Sequence, residues 1–242
     1  MSSRSEDFAR LALHPVCYAW RILLDTIDIV TGAVPPTAAI IWLHGLGADG
    51  HDFEPIVPDL VHRGERSWRF VFPHAPIRPV TLNGGMPMRA WYDLKSLDRS
   101  AAEDLAGFWD SDARIRELFA REAERGIPAD RIVLGGFSQG GAVSLYTAPR
   151  LNSRIAGVLA LSCYLPLASR LAAERSAENL HTPIFMAHGR ADGVLPLALG
   201  TDSRDALLQL GFPVEWHEYP MAHSVCPEEI AAIRAFLLRV LP

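Results

Sequence analysis

A single α/β domain, built on a mostly parallel, twisted sheet with helices on both faces, is the fold class that this 242-residue sequence predicts. Two observations lead there. The apolar runs at 38–43 (Ala-Ala-Ile-Ile-Trp-Leu) and 132–134 (Ile-Val-Leu) lack the alternation of a half-exposed strand, so both faces of each must be covered. Runs of this kind then alternate along the chain with helical patterns, as strand–helix–strand units of a parallel sheet require. No internal repeat, low-complexity tract or interdomain linker interrupts the alternation. Residues 1–14 are read as an N-terminal arm and 15–242 as one domain without a large inserted cap.

Each element has a local reason. Residues 17–30 alternate enough for an early pair of edge strands, closed by the turn residues Gly32, Pro35 and Pro36. After the strand at 38–43, residues 44–50 (His-Gly-Leu-Gly-Ala-Asp-Gly) form a glycine-rich loop, and 53–62 reads as a helix with a proline near its start. Residues 68–72 are a strand. Residues 73–98 carry Pro73, Pro76, Pro79, Pro87, Gly84 and Gly85 and read as one long loop, a length that in a compact domain usually serves function. The stretch 110–125 places Ile115, Leu118 and Phe119 on one helix face, and Gly126 with Pro128 ends it. Further strands are expected at 155–162, 183–188 and 214–219. Helices are expected at 202–210 and 228–240, and 165–179 reads as a linker with helical tendency.

Composition narrows the class of function. Hydrophobic residues make up 49% and charged residues 21%, enough to bury a core without disulfide or metal staples. A net charge of -5 offers no basic surface for nucleic acid or an anionic membrane. Cys17, Cys163 and Cys226 form neither a disulfide framework nor a metal-ligand spacing, which fits a reducing compartment. The first residues lack a signal-peptide core, and no uncharged apolar run is long enough to span a bilayer. The expectation is a cytoplasmic protein with no metal, no cofactor, no nucleic-acid partner and no stable membrane insertion.

The stretch 132–141 (Ile-Val-Leu-Gly-Gly-Phe-Ser-Gln-Gly-Gly) carries the chemistry. It sets Gly136-Phe137-Ser138-Gln139-Gly140, a G-x-S-x-G pattern, between a buried strand and a helix start. Such a turn holds the serine in a strained conformation beside a helix N-terminus, where N–H groups and the dipole favour developing negative charge. A serine hydroxyl needs a base within reach and an acid to orient that base. Both should follow Ser138 in the chain, each just past a strand end. Asp192 follows the strand at 183–188, whereas Asp202 and Asp205 fall on a helix face. His223 follows the strand at 214–219. His188 is the second choice, His217 lies inside a strand, and His44 precedes the serine and reads as a buried residue bonding backbone. The oxyanion donors should be the backbone N–H groups of Gln139, next to the nucleophile, and of Leu46 in the early glycine-rich loop.

These stretches also carry a resemblance. Residues 44–50, 134–142, His188-Gly189 with Asp192 and Pro196, and His223 with residues 227–230 are similar to the acyl-protein thioesterase/carboxylesterase family, a compact branch of the α/β-hydrolase fold. The tract from Asn83-Gly84-Gly85 to Trp91-Tyr92-Asp93 resembles its bacterial carboxylesterase members, and the matches run from about residue 40 to 237. The resemblance implies cofactor-free hydrolysis of esters, lysophospholipids or S-acyl thioesters. Ser138 would be the nucleophile, His223 the base and acid, Asp192 the orienter, and Leu46 and Gln139 the oxyanion donors. Dimers are common in the family, so a homodimer is a possible state.

The function expected is a serine hydrolase acting on carboxylic esters of short to medium acyl chains. Its second reading is an acyl-protein thioesterase or lysophospholipase on long chains, and its third a non-catalytic binding protein on the same fold. The long loop from Pro73 to Leu94 is the candidate acyl-pocket wall, where Met86, Met88 and Trp91 offer apolar surface, with Leu46, Leu165 and Val194 placed near the triad by motif position. Local packing is the competing account of those residues. Cys226 reads as an inert small apolar residue.

Overall fold

The computed structural model describes residues 23–62, 64–96 and 102–242. The N-terminal arm at 1–14 and the first part of the expected edge pair lie outside the described residues. Nine strands are described: β1 (Thr26–Val30), β2 (Ala38–Leu43), β3 (Trp68–Pro73), β4 (Ile77–Val80), β5 (Met86–Arg89), β6 (Ile132–Phe137), β7 (Gly157–Leu161), β8 (Ile184–Gly189) and β9 (Val214–Tyr219). The helices are α1 (Val57–Leu60), α2 (Leu105–Glu124), α3 (Gln139–Thr147), α4 (Ala168–Glu174), α5 (Leu197–Gln209) and α6 (Pro227–Val240).

Seven strands make the main sheet in the order β1-β3-β2-β6-β7-β8-β9. β1 pairs antiparallel with β3, and every other pairing in this sheet is parallel. The absence of alternation in β2 now has its cause. Ala39, Ile41 and Leu43 face a core completed by Phe108, Leu118 and Val143 from α2 and α3, whereas Ala38, Ile40 and Trp42 face a core completed by Leu60, Ile233 and Phe236 from α1 and α6. Helices therefore cover both faces. Because β2, β6, β8 and β9 run the same way, the loops after Leu43, Phe137, Gly189 and Tyr219 emerge along one edge of the sheet. Ligand sites of open α/β sheets form along that carboxyl edge.

Four expectations change. The helix expected at 53–62 is a 3₁₀ turn (Glu54–Ile56) followed by the single-turn α1, because Pro55 and Pro58 both interrupt the amide ladder. α2 begins well before residue 110. Gly107 hid that first turn in the sequence, yet a Cβ there would stand 2.2 Å from Asp104 and 2.8 Å from Tyr92, so the close approach demands glycine. The long loop at 73–98 contains a hairpin, with Pro79 of β4 opposite Pro87 of β5 and Gly84-Gly85 in its turn. α5 likewise begins at Leu197, with Pro196 at its N-cap, and α4 realises the helical tendency of 165–179.

Candidate active site

β6 and α3 meet at Ser138, which sits at φ 55° and ψ −118° as the N-cap of α3. Few side-chain-bearing residues adopt this conformation, and its strain persists because the surroundings over-determine it. Gly136 and Gly140 supply that determination. A Cβ on Gly136 would lie 2.4 Å from the carbonyl carbon of Gly140, and one on Gly140 would lie 2.3 Å from the Leu43 carbonyl oxygen. The turn can close only where both lack side chains.

The loops after β8 and β9 bring the other two predicted groups to the serine. Ser138 Oγ lies 2.9 Å from His223 Nε2, and His223 Nδ1 lies 2.7 Å from Asp192 Oδ2. The remaining carboxylate oxygen, Asp192 Oδ1, accepts the N–H groups of Val194 at 2.9 Å and Leu195 at 2.8 Å. Those two amides fix the carboxylate, which is fully buried, so that Oδ2 faces the imidazole. The Phe137 ring supports the other side of the imidazole, with centroids 4.7 Å apart. This orientation suits an Nδ1–H donated to Asp192 and an Nε2 lone pair aimed at the hydroxyl proton.

The competing histidines are elsewhere. His188 Nε2 is 2.8 Å from the Leu195 carbonyl oxygen and 3.6 Å from Asp192, behind the acid and not at the serine. His217 stands 2.9 Å from Glu215. His44 bonds backbone twice: Nδ1 is 2.7 Å from the Gly45 carbonyl oxygen, and Nε2 accepts the Ala75 N–H at 3.0 Å. Burial pushes its pKa down to about 4, consistent with a neutral ring whose Nδ1–H donates.

Leu46 and Gln139 border the same groove as Ser138 and His223. The loop carrying Leu46 is tied by Gly47 N–H donating to the Arg89 carbonyl at 2.9 Å and by Trp91 Nε1–H donating to the His44 carbonyl at 2.9 Å. The Gln139 side chain completes the brace: it accepts the Trp91 N–H at 2.8 Å and donates to the Tyr92 carbonyl at 2.9 Å.

The groove has a volume of about 320 Å³. Leu46, Leu82, Leu94, Phe137, Val194 and Leu195 give it apolar walls. Of the six expected pocket positions, Leu46 and Val194 line it. Trp91 does not: its side chain is fully buried, and Ser111 Oγ–H donates to its carbonyl while its ring bonds the loop at His44, so it braces the site from below. Met86 is 61% exposed on the hairpin and outside the groove. Met88 is also outside it, its Sδ accepting from Asn83 Nδ2 at 3.3 Å. Leu165 lines a neighbouring cavity of about 200 Å³. Leu82, Tyr92 and Leu94 come from the long loop expected to wall the pocket, although none of them was singled out within it, and Tyr164 comes from the segment after β7, which no local pattern joins to that loop. Cys163 is buried and its thiol pKa is pushed far up by burial, so it packs and does not react.

Fold and site together define the class: an α/β-hydrolase of the esterase and thioesterase type. Residues 24–241 match the phospholipase/carboxylesterase family model, and the chain belongs to that family. It is 44% identical to acyl-protein thioesterase 1 of Neurospora crassa over 223 residues, covering 88% of this chain and 91% of that one. It is equally 44% identical to acyl-protein thioesterase 1 of Mycosarcoma maydis over 224 residues, covering 86% and 93%. The crystal structure of Zea mays acyl-protein thioesterase 2 superposes with a TM-score of 0.80 at 31% identity, over 90% of this chain and 99% of that one. The protein is accordingly a carboxylic ester hydrolase in the broad sense that includes thioesters. Among the described residues no helix is long and apolar enough to cross a membrane.

Proposed function

We propose that this chain hydrolyses S-acyl thioesters of proteins, with Ser138 as nucleophile, His223 as general base and acid, and Asp192 as the group that orients His223. The observation that carries the reading is the continuous relay from Asp192 through His223 to Ser138, at 2.7 and 2.9 Å, opening on an apolar groove. The likeness to acyl-protein thioesterases supports the thioester over the generic ester.

His223 takes the Ser138 proton as the hydroxyl attacks the acyl carbonyl. The oxyanion develops between the backbone N–H groups of Leu46 and Gln139, at the N-terminus of α3, where the helix dipole favours it. Collapse expels the leaving group, which His223 protonates. A thiolate, with a parent pKa near 8.5, leaves more easily than an alkoxide and asks less of that proton. Water attacks the acyl–Ser138 ester as it gives a proton to His223; collapse breaks the bond to Oγ, His223 returns the proton to Ser138, and the acyl group leaves as the acid, which ionises to the carboxylate. Throughout, Asp192 holds the Nδ1–H tautomer and stabilises the imidazolium.

Oxygen esters of short to medium acyl chains are the second reading, favoured by a groove that Tyr92 and Tyr164 wall. The deciding experiment compares an S-palmitoyl cysteine peptide, followed by thiol release, with p-nitrophenyl esters from acetate to palmitate. Wild type should cleave the thioester, and Ser138→Ala should lose both activities by at least about a thousandfold. Equal activity of wild type and Ser138→Ala would sink the assignment.

A further inference from the structure

The catalytic groove and the neighbouring cavity share a wall made of Tyr92, Leu94, Tyr164 and Leu195. At its centre the two phenolic hydroxyls meet at 2.9 Å. We propose that the Tyr92–Tyr164 hydroxyl bridge is the determinant of acyl-chain length, a gate that stops the chain at the end of the catalytic groove and, when parted, admits it to the second cavity. The inference deepens the proposed function, since it assumes that the acyl group lies in the groove beside Ser138.

The two tyrosines are not equivalent. Tyr92 is fixed: its ring stacks on Phe108 with centroids 4.1 Å apart, its carbonyl accepts from Gln139, and its side chain is buried. Tyr164 is half-buried and follows Ser162, whose φ of 44° turns the chain sharply after β7. Tyr164 is therefore the leaf that moves. Burial raises the pKa of both phenols, Tyr164 to about 12, so each keeps its proton and one can donate to the other across the working pH range. A single neutral hydrogen bond is weak enough on balance for an apolar chain to displace when several methylenes gain cover beyond it.

Beyond the tyrosines, the buried Leu165 and Leu195 and the half-buried Leu199 offer apolar surface to a hydrocarbon chain, while Lys95 and Glu103 stand exposed in the same lining, Glu103 near enough to both phenols for its charge to help keep them protonated.

The test uses a readout independent of turnover. Ser138→Ala, with and without Tyr164→Phe, is titrated calorimetrically with octanoate and tetradecanoate below their micellar concentrations. Tyr164→Phe keeps the ring and deletes the bridge, so the affinity ratio of tetradecanoate to octanoate should rise at least fivefold. Adding Leu199→Phe, which fills only the second cavity, should return the ratio to its starting value. Tyr92→Phe should reproduce the effect if Tyr164→Phe folds poorly. A ratio unchanged in both tyrosine variants, or a rise that survives Leu199→Phe, overturns the gate. Failure of the proposed function itself shows separately, as wild type that hydrolyses neither the thioester nor any ester.

Discussion

Protonation of His44 is incompatible with the bonds its ring makes, because Nε2 must accept the Ala75 N–H while Nδ1–H donates to Gly45. Its pKa is pushed by burial from 6.5 to about 4, so between those values the unfolded chain binds a proton that the folded one does not. Stability is untouched above pH 6.5 and falls as the pH drops toward 4, by about 3 kcal/mol once the window is crossed. His44→Gln should flatten this acid limb, which urea unfolding at pH 7 and pH 4.5 would reveal; an identical loss in both proteins would assign the acid sensitivity elsewhere. Asp192→Asn makes a sharper point. Its amide oxygen can still accept from Val194 and Leu195, but the NH₂ then faces His223 Nδ1 and selects the wrong tautomer. We expect kcat to fall by about 10⁴ with little change in melting temperature. A loss below tenfold would remove Asp192 from the relay.

Single elements explain why some of the site was legible in the sequence and some was not. The β6–Ser138–α3 turn is specified by residues adjacent in the chain, and the same two glycines that mark the pattern prevent the collisions that would open it. Asp192 and His223 were legible because each lies in the loop just beyond a buried or half-buried strand. The groove was legible only in part: Leu82 and Leu94 belong to the long loop expected to wall it, whereas Tyr164 joins from beyond β7, and Trp91 carries the same aromatic signal whether it lines a pocket or braces one. The β4–β5 hairpin was hidden by Pro79 and Pro87, which weaken any strand reading although they tolerate an exposed two-stranded ribbon. Gln139 illustrates how one residue serves two levels. Gln139→Ala keeps the backbone N–H but leaves the Trp91 N–H and Tyr92 carbonyl without their buried partner, a loss of about 2–4 kcal/mol. Thermal unfolding should register that loss while kcat drops less than about tenfold, the reserve expected when the proposed oxyanion donor, a backbone N–H, survives. A collapse of kcat at unchanged stability would instead mean that the side chain touches the reacting atoms.

At the scale of the whole molecule, the fold was readable because two separate cores leave every central strand covered on both faces. One buried group works against it. Glu229, in the first turn of α6, is fully buried with no charged partner in hydrogen-bond reach among the described residues, and burial pushes its pKa from 4.5 up to about 8 against the lowering pull of the Cys226 backbone N–H. The folded state therefore holds a proton that the unfolded chain releases, so stability declines as pH rises from 4.5 to 8 and then levels off. Glu229→Gln should give no gain below pH 4.5 and a gain of a few kcal/mol above pH 8, read from denaturant midpoints at the two ends; a pH-independent difference would contradict the buried, protonated acid. The order of the strands sets how this enzyme would wear out. Ser138 hangs from β6, clasped by a neighbour on each side, whereas His223 hangs from β9, half-buried at the outer margin and clasped on one side only. Mild denaturant should loosen the rim first, letting His223 drift from an intact Ser138 turn, so that, on the proposed roles of the two, activity fades ahead of the far-ultraviolet circular dichroism and returns on dilution: a catalyst that goes dormant before it comes apart.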